Sequence, residues 1–207
     1  MADLTGYTAM THVHGGESAA KIVRKYMQLV DGSLVGSSKV IQRIGDQVVI
    51  IAPSAADILS TSQRLVQIAN DEHQFLAVHV GLHYGSVFME ENNLFGSTIN
   101  IASRIMNMAQ GSQVLCSQVF LSQLPDFNEF TSVGFHKLKN VVEEFELFEL
   151  ASGTSLNKFL KDPVCHMQID PTLGDYTYIH NQHTYHFCSD HCRTLFKAAP
   201  GSFISDM

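Results

Sequence analysis

The order of patterned segments over residues 1–150 predicts an α+β fold of the ferredoxin-like type, β-α-β-β-α-β with additions. Three observations carry the prediction. Short apolar runs at 39–43 and 48–52 flank Gly45-Asp46, which is a hairpin signal. Apolar residues recur with helical period on either side of that hairpin, through Ala19, Ile22, Val23, Tyr26 and Val30 and again through Ile58, Leu59, Leu65 and Val66. Residues 75–84 then alternate strictly, with Leu76, Val78, Val80 and Leu82 on one face and Ala77, His79, Gly81 and His83 on the other.

The elements follow in order. Residues 1–4 give a short strand, and Leu4-Thr5-Gly6-Tyr7 turns from it into a helix. Asp31-Gly32 and Gly36-Ser37-Ser38 end the first periodic helix, read over 18–30. The unbroken Val48-Val49-Ile50-Ile51 predicts a strand buried on both faces, closed by Pro53. His79 and His83 read as strand positions, because no cysteine or carboxylate recurs with them at metal spacing. A connection over 90–96 leads to a helix over 97–109, with Ile99, Ala102, Met106 and Ala109 on an apolar stripe and Asn100, Arg104 and Asn107 on a polar one. Strands at 113–115, 129–135 and 144–150 and a helix near 117–121 complete this unit.

Composition excludes several classes. A net charge of −7 leaves no basic stripe to neutralise phosphates, so no nucleic acid is expected as a partner. No apolar run reaches the ~18 residues of a membrane helix and no signal peptide opens the chain, so the expected location is cytoplasmic. Cys165, Cys188 and Cys192, with five histidines, crowd the last 45 residues, whereas Cys116 stands alone upstream and reads as core. In a reducing compartment that clustering points to metal before disulfide. It divides the chain into a first domain at 1–150, a linker at 151–160 with Ser-Gly-Thr-Ser inside it, and a second domain at 161–207.

Three segments of the first domain together carry a resemblance. Asp3 precedes Gly6-Tyr7-Thr8, Gly45-Asp46 closes the hairpin, and Asn100-x-x-x-Arg104 follows the entry Phe95-Gly96-Ser97-Thr98-Ile99. Each has a plain reading alone: Gly-Asp is common in turns, an Asp suits a helix entry, and an Asn one turn from an Arg is usually a solvated face. In this order they resemble the catalytic domain of class III adenylate and guanylate cyclases. Val133–Asn140 resembles the segment that closes many bacterial members. Against that family the first strand looks truncated, since only Met1-Ala2 precede Asp3.

The resemblance implies a nucleotide cyclase acting in signal transduction on ATP or, in close competition, GTP. Asp3 and Asp46 would hold Mg²⁺ or Mn²⁺, hard ions that favour carboxylate oxygen. Leu4, Thr5, Gly6 and Tyr7 would offer backbone N–H groups to the triphosphate. Asn100 would orient the ribose and Arg104 would stabilise charge on the transferring phosphate. In the family these groups come from two chains, which implies a homodimer. Adenylate cyclases usually read the base with a Lys and an Asp where this chain has Gln42 and Asn93, amides that donate and accept without charge. Those two amides and the short first strand favour the other class of reading, a cyclase-fold regulatory protein or metal sensor without turnover.

The tail resembles a YHS domain, a small treble-clef or TRASH-like metal-binding module, through Asp162-Pro163-Val164-Cys165 and Tyr185-His186-Phe187-Cys188-Ser189-Asp190-His191-Cys192. His166 stands where that family usually has Gly. Three thiolates favour Zn²⁺ or Cu⁺. Met167, His186 or His191 can supply a fourth ligand, and His186 is the expected one, because imidazole suits both ions. Two other readings stand beside metal sensing or carriage: the cysteines as buried small hydrophobes, or a metal bound only to support a domain expected to have little core.

Overall fold

The computed structural model describes residues 1–91, 93–126, 128–151, 159–173 and 176–204. The linker expected at 151–160 lies mostly outside the described residues. The chain runs β1 (Ala2–Leu4), α1 (Tyr7–Ser33), β2 (Lys39–Ile44), β3 (Gln47–Ile51), α2 (Ala55–Asn70) and β4 (Val78–Leu82). Next come β5 (Phe88–Glu90), β6 (Asn93–Phe95), α3 (Ser97–Met106), β7 (Val114–Ser117), α4 (Gln118–Leu121), β8 (Phe130–Lys137) and β9 (Glu144–Leu150). The tail holds β10 (Leu160–Lys161), β11 (Gln168–Ile169), β12 (Thr177–His180), β13 (His183–His186), α5 (Asp190–Ala198) and α6 (Gly201–Ile204).

One seven-stranded sheet, ordered β2-β3-β1-β4-β7-β9-β8, organises the first domain. Its β2-β3-β1-β4 half is antiparallel throughout and has the ferredoxin-like order. β7 joins β4 in parallel after the α3 crossover, and β9 and β8 extend the edge. β1 is short, yet it lies between β3 and β4 and carries a full ladder, with Asp3 opposite His79 and Leu4 opposite Val78. Period-two alternation then fixes the faces. Ala2, Leu4, Val78 and Val80 enter the main core with α1 and α2 residues such as Tyr26 and Leu65. Asp3, His79 and Gly81 therefore belong to the opposite face, where a Cβ on Gly81 would run into the α3 backbone at Ala102 and Met106.

Three elements differ from the sequence reading, α3 among them: it ends at Met106 rather than at residue 109, with Asn107 as its C-cap. The first helix starts at Tyr7 rather than at residue 18, and it is broken at Gly15 (φ 76°, ψ 173°). Gly15-Gly16 and the polar neighbours Thr11, His12, His14 and Glu17 obscure the period over that first segment. The 90–96 connection instead contains half of the β5–β6 hairpin, whose Phe88, Met89 and Phe95 are exposed.

The tail packs onto this domain. Gln168 donates its amide to the Phe75 carbonyl (2.7 Å) and accepts from the Gln74 amide (2.9 Å), while its side chain reaches the Ala69 carbonyl (2.9 Å). The Asp170 amide donates to His73 Nδ1 at 3.1 Å. Contrary to the expectation of little core, Phe196 is fully buried among Tyr178, Tyr185, Phe187 and Phe203. These rings are continuous with the core of the first domain.

Candidate functional site

Asp3 and Asp46 converge because β1 pairs with β3 and Asp46 sits in the turn that opens β3. Burial, then the Asp46 charge and a hydrogen bond shared with Asp46, push the Asp3 carboxyl up to about 7, against the Leu4 amide that donates to it at 3.0 Å. Two half-buried carboxylates this close, one of them pushed up by its neighbour's charge, form an oxygen donor set that suits a cation. No lysine or arginine forms an ion pair with either among the described residues.

Beside them Gly6 caps α1 in the left-handed region (φ 81°), with no side-chain hydrogen bond capping the helix N-terminus. Thr5 is pinned there by its amide to the Ala77 carbonyl (2.8 Å) and by its hydroxyl to His79 Nδ1 (2.9 Å). Burial holds the His79 imidazole below its ordinary value. The reading of His79 as a strand position stands, and its ring also positions Thr5.

Asn100 and Arg104 lie one turn apart on α3, the first exposed and the second half-buried, and neither side chain has a hydrogen bond or ion pair among the described residues. Their helix reaches the β2–β3 hairpin where Gln47 Nε2 donates to Met106 Sδ at 3.6 Å. Gln42 lies on β2 beside a bulge, and Asn93 on β6 opposite Glu90. A cleft of about 620 Å³ at the foot of β5–β6, floored by Ile51, Ala55 and Thr98, is not lined by Asp3, Gln42, Asp46, Asn100 or Arg104.

In the tail, Cys165, Cys188 and Cys192 come together as expected. Cys188 Sγ lies 3.5 Å from Cys165 Sγ and 3.6 Å from Cys192 Sγ. The fourth donor differs from the expected one. His14, at the end of the first segment of α1, places Nε2 3.4 Å from Cys188 Sγ and 3.6 Å from Cys192 Sγ. These four donor atoms lie within 4.8 Å of one another, and His186 is not among them. It is held in the β12–β13 ladder opposite Thr177, its Nδ1 buried without a hydrogen-bond partner among the described residues.

Sequence reasoning quoted Asp162 in the motif but gave it no role; it is fully buried. One carboxylate oxygen accepts from the amides of Val164 (2.8 Å) and Cys165 (3.3 Å), the other from the amide of Cys188 (2.8 Å). It ties the two cysteine-bearing segments together, and burial holds its carboxyl above the usual range. Its place three residues before Cys165 was the available signal. His166 adopts φ 65°, the left-handed conformation that explains a usual glycine, and its ring lies against Gly6. Cys116 is core, its thiol pushed up to about 12 by burial.

The ferredoxin-like sheet, the aspartate pair and the Asn/Arg helix define a nucleotide-cyclase-type domain, to which a cysteine-rich module is joined. Residues 1–150 match the adenylate and guanylate cyclase catalytic domain family, and this chain belongs to that family. Residues 152–206 match the YHS domain. The pH-sensitive adenylate cyclase of Mycobacterium tuberculosis is 25% identical over 159 residues, 74% of this chain and 40% of that protein. The chain thus spans well under half the length of that relative. An adenylate cyclase structure from Trypanosoma brucei shares the fold with a TM-score of 0.66 at 18% identity, covering 82% of this chain and 91% of that one. The tail is 46% identical over 46 residues to a copper-transporting P-type ATPase of Rhizobium leguminosarum, 22% of this chain and 6% of that protein. No helix among the described residues is long and apolar enough to cross a membrane.

Proposed function

We propose that the first domain converts a nucleoside triphosphate, ATP or GTP, into its 3′,5′-cyclic nucleotide and pyrophosphate for signalling, in a homodimer. The observation that carries this is the complementary incompleteness of one chain. Asp3 and Asp46 crowd each other without a cation, and Asn100 and Arg104 have no partner among the described residues. The exposed apolar β5–β6 hairpin supports pairing of two copies.

Asp3 and Asp46 would hold Mg²⁺ or Mn²⁺, which lowers the pKa of the ribose 3′-hydroxyl and steadies the leaving oxygens. The uncapped α1 N-terminus at Gly6-Tyr7 receives the triphosphate, since first-turn N–H groups and the helix dipole favour anions. Arg104 balances the charge that builds on the α-phosphate as the 3′-oxygen bond forms and the bond to pyrophosphate breaks. Asn100 fixes the ribose, and the Gln42 and Asn93 amides meet the base.

The test is complementation. Purified Asp46→Ala and Arg104→Ala chains, each inactive with Mn²⁺ and ATP or GTP, are mixed and assayed for cyclic product. Random pairing leaves one intact site in each heterodimer, so about a quarter of the wild-type activity should return. No recovery in proven heterodimers would refute the shared site. Nucleotide binding by the wild type without any product would favour the regulatory reading, to which the two amides at the base positions lend weight.

A further inference from the structure

The donor cluster in the tail is completed from the other domain. His14, Cys165, Cys188 and Cys192 come from three separate stretches of chain, and their adjacent donors stand 3.4–3.6 Å apart. A four-coordinate ion with metal–sulfur bonds of about 2.3 Å and a metal–nitrogen bond of about 2.0 Å spaces its donors about 3.5–3.8 Å apart. Sulfurs at these separations are not disulfide-bonded, and all four cysteines of the chain are free. We propose that Cys165, Cys188, Cys192 and His14 bind one Zn²⁺ ion, and that this ion clamps the YHS module to the first helix of the cyclase domain.

Donor chemistry selects the ion. Three thiolates and one imidazole in four-coordinate array are a common zinc set. The Asp162 carboxylate braces the sulfur-bearing backbone from behind, accepting from the Cys165 and Cys188 amides, as partners beyond the ligands do in metal sites.

The position of His14 gives the clamp a consequence. It immediately precedes the break at Gly15, so the segment from Tyr7 to His14 has a direction of its own. A Cβ at Gly15 would meet nothing within 4 Å, so close packing does not impose the break. The other end of this segment is the Gly6 turn. An ion held by His14 therefore fixes, across two helical turns, the turn that receives the triphosphate. That last step rests on the cyclase reading; the ligand set does not.

The test uses the full chain, stripped of metal and kept reduced, with Zn²⁺ titrated against a chromophoric chelator and the bound ion examined by X-ray absorption. One equivalent should bind with three sulfurs and one nitrogen. His14→Ala should weaken binding at least ~tenfold and replace the nitrogen by a solvent oxygen, while His186→Ala keeps both affinity and nitrogen. Zn²⁺ should slow amide exchange in residues 7–14 of the wild type but not of His14→Ala. An unchanged nitrogen in His14→Ala, or its loss in His186→Ala, overturns the proposal. Should His14→Ala fail to fold, His14→Cys carries the test: four sulfurs uphold it, and three sulfurs with one nitrogen refute it. A parallel Cu⁺ titration that outcompetes Zn²⁺ and gives sulfur ligands alone would also refute the zinc clamp. None of these readouts requires turnover, so an inactive cyclase would leave the ligand assignment standing.

Discussion

The aspartate pair and the thiol cluster differ in how the chain positions its donors. Asp3 rides on β1 and Asp46 sits in the turn that opens the neighbouring β3, so one hydrogen-bonded ladder and its tight turn bring them together. The thiol cluster has no ladder through it. A turn after β10 carries Cys165, the bend before α5 and its first turn carry Cys188 and Cys192, and a helix more than a hundred residues upstream carries His14. A buried carboxylate does there what register does in the sheet. The carboxylates anchored by strands are set by backbone pairing, whereas the thiols on turns depend on one side chain that gathers them.

The sharpest way to break this contrast is to remove the gatherer. Asp162→Ala strands the amides of Val164, Cys165 and Cys188 inside a buried site. Each orphaned donor costs about 1–3 kcal/mol, offset by no longer burying a carboxylate, so a net loss of about 3 kcal/mol is expected in denaturant unfolding of the tail. Zinc affinity should fall with it. The sheet of the first domain should unfold as in the wild type. Equal stability of the tail in Asp162→Ala would mean that the sulfurs are positioned by packing around Phe196 alone.

The same contrast explains what could be read from the sequence. The succession of strands and the α2 helix follow from alternation and a two-residue turn, which are local patterns, whereas the link between Asp3 and Asp46 came from the family resemblance. The three cysteines announced themselves by spacing. His14 could not, because its relation to them is purely tertiary and its own segment, Thr11 to Glu17, shows no apolar period. The imidazole chosen on local grounds, His186, belongs to a strand whose register holds it elsewhere. The β5–β6 hairpin escaped notice for a related reason: its apolar side chains face outward, and a pattern search assumes that such residues point to a core.

A smaller effect is expected at the base. If strand-borne groups define the sheet site, exchanging the amides on β2 and β6 should change selectivity without moving the aspartates. Gln42→Lys with Asn93→Asp presents a fixed donor and a fixed acceptor, and should raise the ATP over GTP preference in kcat/KM by about tenfold, equivalent to about 1.4 kcal/mol of polar contact. An unchanged ratio would show that neither residue touches the base.

The smallest effect tests the seam between the two regions. Gly6 is needed twice: its φ of 81° strains any other residue, and an added Cβ would lie 2.5 Å from the Cβ and Nδ1 of His166. Gly6→Ala should therefore destabilise the chain by about 2 kcal/mol, part from the left-handed backbone and part from the contact. The contact part is removable. His166→Gly deletes the offending Cβ and suits its own φ of 65°, so Gly6→Ala should cost about 1 kcal/mol less in that background. His166→Ala removes the ring but keeps the Cβ, and should give only part of that relief. The double-mutant cycle is read from denaturant midpoints of the zinc-loaded full chain. Equal costs of Gly6→Ala in the wild-type and His166→Gly backgrounds would mean that the module does not rest on the Gly6 turn in solution. A relief confined to His166→Gly would place the Cβ of His166, rather than its ring, against that turn.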